Sequence, residues 1–183
     1  MAWNDNAEEG GDKNRAMTES SGPIVLRPLA LADVDNLMTW VNEPAVIGKF
    51  ATFYDMRTRE EEEAYVRSVL NSKNDIVYSI ECGNTYAGQV GLHEIERRNN
   101  KGRLALVLKK DFQGHGYGER VLEKFLRELF DNYGMHKVWA VIGVANQRMQ
   151  HVCEKVGFQY EGMAREEYFR DGRYHDMTRW SIL

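Results

Sequence analysis

The run Leu104-Ala105-Leu106-Val107-Leu108 leads into Gln113-Gly114-His115-Gly116-Tyr117-Gly118. Directly after it, Val121, Leu122, Phe125, Leu126, Leu129 and Phe130 recur at the three-and-four spacing of one helix face. The stretch therefore reads strand, glycine loop, helix. The first turn of a helix leaves its N–H groups without intrahelical partners, and the helix dipole adds partial positive charge at that end. Glycines let the chain bend tightly and let a ligand approach the backbone. Together these features make an anion cradle suited to phosphate or pyrophosphate.

Two familiar phosphate loops are excluded. No Lys-Ser or Lys-Thr follows the glycines, as a P-loop requires. In the dinucleotide fingerprint G-x-G-x-x-G the third glycine would fall at Glu119 counting from Gly114, or at Val121 counting from Gly116. The pattern that fits is Q-x-x-G-x-G, carried by Gln113, Gly116 and Gly118.

Length and composition narrow the class. A chain of 183 residues with 43% hydrophobic content suits one domain with a real core. Its 24 Lys and Arg against 28 Asp and Glu give a net charge of −4, so it lacks the basic surplus of a general nucleic-acid binder. Cys82 and Cys153 are the only cysteines, which implies no disulfide framework and suits a reducing, cytoplasmic compartment. No apolar run approaches the ~20 residues of a membrane span, and the N-terminus has no signal-peptide core. His93, His115, His136, His151 and His175 form no metal-ligand spacing, so no metal is expected. An assembly of identical copies is left open.

The polar segment 1–22 has no apolar period and is expected to be a disordered tail, with Met17 as an alternative start. Residues 23–183 are expected to form the single domain. Ile24 to Leu29 reads as a strand and Ala32 to Val41 as a helix broken at Asn42-Glu43-Pro44. Residues 45–56, with Phe50, Phe53 and Tyr54, read as irregular, either core lining or a substrate-side loop. Thr58 and Glu61 form a capping box that opens a helix to about Leu70, with Tyr65, Val66, Val69 and Leu70 as its apolar side. The Glu60 to Glu63 run is a solvated helix start, or alternatively an acidic patch that gathers a polyamine. Strands follow at Ile76–Cys82, Thr85–Ile95, Arg103–Leu108 and Lys137–Val144. Asn146 caps a helix from Gln147 to Val156, closed by Gly157. Two more strands, Phe158–Phe169 and Arg173–Ile182, join through Asp171-Gly172. The order β-α-α-β-β-β-α-β-α-β-β predicts an α/β (α+β) fold: a mixed, mostly antiparallel sheet with helices on both faces.

Three motifs carry a resemblance. Gln113, Gly116 and Gly118 form the first. Asn146 through Phe158 is similar to an N-x-x-(A/S)-x-x-x-Y-x-K-x-G-F segment, departing at Met149 and Cys153. Glu161-Gly162 with Tyr168-Phe169-Arg170-Asp171-Gly172-Arg173-Tyr174-His175-Asp176 is the third, and Leu26-Arg27-Pro28 and Trp40-x-Asn42 accompany it. In this order they resemble the GNAT N-acetyltransferase superfamily, in its RimJ/RimL-type or spermidine acetyltransferase-like branch, over about residues 24–182.

The resemblance implies direct transfer of acetyl from acetyl-CoA to a primary amine, with a polyamine-like acceptor favoured. A protein N-terminus, such as a ribosomal-protein alanine, is the alternative, and a non-catalytic acyl-CoA sensor is the rival from another class. It places acetyl-CoA where strands Arg103–Leu108 and Lys137–Val144 splay apart. The implied contacts are Leu106, Val107 and Leu108 on the strand, Gln113 to Gly118 in the loop, and Asn146, whose side chain can equally be a helix cap. An N–H near Leu106 would act as an oxyanion hole. An alkylamine is mostly protonated at neutral pH, so a base is needed. The glutamate common in the family falls at Arg103 here. Glu94 is the first substitute, then Glu167 and His93. The family's tyrosine acid falls at Cys153, which is expected to be the proton donor to departing CoA, a buried inert residue, or a transient acyl carrier.

Overall fold

The computed structural model describes residues 22–47 and 56–183, with only the backbone of Ala45 and Ile47. The expected tail, apart from Gly22, and the aromatic residues Phe50, Phe53 and Tyr54 lie outside the described residues. The elements are β1 (Ile24–Pro28), α1 (Val34–Met38), α2 (Pro44–Ile47), α3 (Arg59–Asn71), β2 (Ile76–Cys82), β3 (Thr85–Glu96), β4 (Lys101–Leu108), α4 (Tyr117–Asp131), β5 (Lys137–Gly143), α5 (Gln147–Lys155), β6 (Gln159–Arg170) and β7 (Arg173–Ile182). They build a seven-stranded sheet in the order β1-β2-β3-β4-β5-β7-β6. Every neighbouring pair is antiparallel except β4–β5.

Strand alternation sends apolar side chains to both faces. On one face Ile80, Val90, Leu92 and Leu104 pack against Val121, Leu122 and Phe125 of α4. On the other, Val77, Tyr86 and Val107 meet Leu37, Val66 and Val69 from α1 and α3. The expected class, with helices on both faces, is what the chain adopts.

The local differences have identifiable causes. The helix expected over 32–41 is a 3₁₀ turn at Leu31–Asp33 followed by the short α1. Asp33 accepts from the N–H of Ala30 at 2.9 Å and from both terminal guanidinium nitrogens of Arg27, which pins this turn to β1. Pro44 opens a helical turn, as its fixed φ and missing N–H allow at a first helical position. The Thr58–Glu61 box is present: Glu61 N–H donates to Thr58 Oγ1 at 3.2 Å and Thr58 N–H to Glu61 Oε2 at 2.8 Å. Leu70, expected on the apolar side of α3, is exposed, and Glu62 is buried.

β4 and β5 pair only over Lys101↔Lys137, Gly102↔Val138 and Arg103↔Trp139. Beyond that point β4 stays on β3 as far as Leu108, while β5 stays on β7 as far as Gly143. The expected splay between the parallel strands therefore opens after residue 103 and leads to the glycine loop.

Candidate active site

A cavity of about 620 Å³ occupies the splay and continues onto the sheet face beneath α3. Strand geometry decides what each residue of β4 gives it. Lys109 N–H donates to the Ala87 carbonyl at 2.9 Å, so odd-numbered neighbours turn their backbone toward β3. Leu106 and Leu108 turn theirs toward the gap. Gln113 confirms the direction, since its Nε2 donates to the Leu108 carbonyl at 2.7 Å. Val107 turns its backbone to Gln89 of β3, while its side chain packs in the second core cluster and also lines the cavity.

The loop is built as an amide cradle. Gly114 and Gly116 hold φ of 89° and 77°, values that cost a side-chain-bearing residue backbone strain. Among the described residues no backbone carbonyl accepts from the N–H groups of residues 114–119. His115 contributes backbone only, since its side chain is exposed and lies off the cavity. The ring of Tyr117 is buried edge-on against Phe112, 5.7 Å between centroids, and anchors the loop from below. Asn146 lines the cavity while its Oδ1 accepts from Met149 N–H at 3.3 Å, so the cap role is present.

Two cations went unnoticed in the sequence. Arg148 Nη1 lies 3.4 Å from Gln113 Oε1, and its Nη2 would stand 2.5 Å from a Cβ at Gly114. Lys155 is 3.5 Å from the Glu119 carboxylate, and both line the cavity. Their seven-residue separation on one helix was the available signal.

The catalytic candidates separate. Glu94, expected as the base, does not line the cavity. It sits at φ 54° where the β3–β4 register slips, is exposed, and receives a 2.8 Å bond from Arg103 Nε outside the cavity. The bulge breaks strand alternation and Arg103 holds the carboxylate outward. Glu167 is exposed on β6 and also lies off the cavity. Cys153 is buried in the α4–α5 core and is not part of the cavity wall; burial pushes its thiol up to about 12. This is the environment of the inert reading rather than of a proton donor or acyl carrier.

Other groups line the part of the cavity beneath α3. Glu62 is 1% exposed, and its Oε2 has no hydrogen-bond partner among the described residues. Arg57 Nη1 lies 3.5 Å away, close enough for attraction but without hydrogen-bond geometry. Burial holds the Glu62 carboxyl above the usual carboxylate range, with Arg57 opposing in part. His93 also lines the wall, with Nδ1 2.6 Å from Asp75 Oδ1.

Residues 24–159 match the Acetyltransferase (GNAT) domain family. The chain belongs to the GNAT family. This GNAT protein is an acetyl-CoA-dependent N-acetyltransferase, and the unpaired amides of the loop and the open edge at Leu106 suit that co-substrate. A Bacillus subtilis (strain 168) relative with a provisional ribosomal N-acetyltransferase name is 29% identical over 57% of this chain and 59% of its own. Spermidine N(1)-acetyltransferase of Escherichia coli (strain K12) is 24% identical over 90% of this chain and 88% of its own. The crystal structure of Vibrio cholerae spermidine N-acetyltransferase, in complex with CoA and spermine, shares the fold at a TM-score of 0.82, with 23% identity over 87% of this chain and 94% of its own. Among the described residues of this GNAT chain no helix is long and apolar enough to cross a membrane, and no cluster of His, Cys, Asp and Glu could hold a metal ion.

Proposed function

We propose that this enzyme acetylates a small aliphatic polyamine of the spermidine class in the cytoplasm. The observation that carries the reading is Glu62, a buried carboxylate on the cavity wall whose Oε2 lacks a hydrogen-bond partner among the described residues and has only Arg57 at 3.5 Å. A buried carboxylate oxygen without a hydrogen bond is costly, and an ammonium group is a donor that relieves it. Relatives that act on spermidine align over most of the chain. Both cysteines are free, which suits a reducing compartment.

In this reading the amides of Gly114 to Gly118 take the pyrophosphate of acetyl-CoA at the α4 N-terminus. Gln113 braces the loop against Leu108, and Arg148 and Lys155 add positive charge beside it. The backbones of Leu106 and Leu108 pair with the pantetheine arm, Asn146 holds it from the β5 side, and the N–H of Leu106 polarises the thioester carbonyl. Self-association fits the same reading. Tyr160, Met163, Phe169 and Tyr174 of the β6–β7 hairpin are exposed, and the Vibrio cholerae enzyme has a dodecameric structure.

The test follows CoA thiol release against spermidine, spermine, shorter diamines and peptides beginning with alanine. Polyamines are expected to have the highest kcat/KM. Peptide turnover without polyamine turnover would reassign the acceptor, and tight acetyl-CoA binding without release from any acceptor would favour a sensor.

A further inference from the structure

We propose that the imidazole of His93, oriented by Asp75, takes the proton from the acceptor ammonium; this rests on the amine-acetylating reading above. With Arg103 where the resemblance places a glutamate and Glu94 off the cavity, His93 is an imidazole on the cavity wall placed to accept the proton.

Orientation comes first. Asp75 Oδ1 lies 2.6 Å from His93 Nδ1, and Ser72 Oγ, at the end of α3, donates to the other carboxylate oxygen. An ionised carboxylate only accepts, so the neutral ring carries its proton on Nδ1 and presents a lone pair at Nε2. Direction comes second. Nε2 lies 2.9 Å from where a Cβ on Gly91 would stand. The ring therefore folds back along β3, two residues from its own Cα, over a position where only glycine leaves room. Gly91 pairs with Ala105, so Nε2 is brought to the level of the residue next to Leu106. The ionisable and charged groups around the ring are Asp75 just before β2 and, on the cavity wall, Arg103 across the strand, Tyr65 and Glu62 on α3, and Arg57 before it.

The chemistry balances. The alkylammonium gives one proton to Nε2. The freed nitrogen lone pair forms the C–N bond to the acetyl carbonyl carbon as the thioester C–S bond breaks. CoA leaves as a thiolate and takes the second proton lost by nitrogen. The products are the acetamide, CoA thiol and an imidazolium that returns its proton to water. Glu62 holds the acceptor and His93 takes its proton, which gives the two residues different kinetic signatures.

The test measures kcat/KM for spermidine with the full chain from about pH 6 to about pH 10. His93→Gln is expected to lose about 10²-fold at neutral pH. The loss should shrink as pH approaches the alkylamine range near ~10, where the acceptor arrives already neutral. The acetyl-CoA Kd should not change. Asp75→Asn should give a smaller loss with the same pH shape, and added imidazole should partly restore His93→Ala. Gly91→Ala, which crowds the ring, should lower kcat while leaving the acetyl-CoA Kd unchanged. A loss of the same size at every pH, or no loss, overturns the role of His93 while leaving the polyamine reading intact. If wild type prefers another amine, the same profile is read on that amine. If it turns over no amine, both readings fall.

Discussion

Replacing Glu62 by Gln should stabilise the free enzyme while weakening its hold on the acceptor. The carboxylate is buried, its Oε2 has no hydrogen-bond donor among the described residues, and Arg57 at 3.5 Å offsets only part of the desolvation. An unsatisfied buried group costs roughly 1–3 kcal/mol, more when charged. Gln keeps the shape and drops the charge, although its amide is also unpaired, so the net gain is about 1 kcal/mol. For a domain of this size that raises Tm by about 2–4 °C. The pH dependence has a definite sign. Burial raises the folded carboxyl above its unfolded value of about 4.3, so between that value and the raised folded one the folded state binds more protons. Wild-type stability from this group therefore falls as pH rises through that window, and the Gln variant lacks the fall. The two proteins should melt alike below about pH 4 and diverge above it. In the assay, losing an ammonium–carboxylate bond of about 1.5–3 kcal/mol raises the spermidine KM roughly 10- to 100-fold, with the acetyl-CoA Kd unchanged. A lower Tm together with an unaltered spermidine KM would refute the assignment.

Three further outcomes are expected. Burial pushes the Cys153 thiol up to about 12, so at pH 8 it is held as the unreactive thiol. Iodoacetamide should leave it unlabelled in the folded enzyme, and Cys153→Ala should keep kcat at a stability cost of about 1 kcal/mol, read by urea unfolding. Thr58→Ala removes one half of the box that starts α3 and should cost about 1 kcal/mol by the same method. Burial pushes the Asp33 carboxyl up, but bonds from Arg27, the Ala30 N–H and Ser79 more than offset it, leaving the group below its usual range. Its contribution is then complete above about pH 4 and lost as pH falls further. Asp33→Asn should flatten acid unfolding there and cost about 3 kcal/mol at neutral pH, because Arg27 is partly solvated and keeps Glu81.

What the sequence revealed and what it hid divide by range. The glycine loop, the Thr58 and Asn146 caps and the hairpins at Gly83-Asn84 and Asp171-Gly172 are set within a few residues, so composition and spacing expose them. Glu62 was legible in part. It lies four residues before Val66 and seven before Val69, on the face those residues bury, but three flanking glutamates disguise it as part of a solvated run. Glu94 is offered by resemblance alone, and its place off the cavity follows from a register slip between His93 and Glu96 that no local pattern announces. The His93–Asp75 contact joins residues 18 apart, on the far side of a hairpin from one another, and no local pattern announces it. Cys153 occupies a position that resemblance marks as reactive, yet whether a helix residue faces a cavity or a core depends on how the helix packs.

The geometry of β4 separates the backbone edge at the splay from the side chains on the α3 face. In a strand the backbone groups point sideways and the side chains point up and down. Leu106 and Leu108 offer their backbone to the gap with β5, while their side chains pack toward α4. Arg103, Ala105 and Val107 spend their backbone on β3 and turn their side chains to the α3 face, where Glu62 and His93 also lie. In the proposed function, thioester and amine would meet at one strand from perpendicular directions and use alternate residues of it. Arg103 spends its backbone on β3, so a change of its side chain leaves the backbone edge at Leu106 and Leu108 in place. On the α3 face its Nε pairs with Glu94 at 2.8 Å. Arg103 lies directly across the strand from His93. The Arg103–Glu94 and His93–Asp75 contacts are therefore neighbours across the β3–β4 ladder.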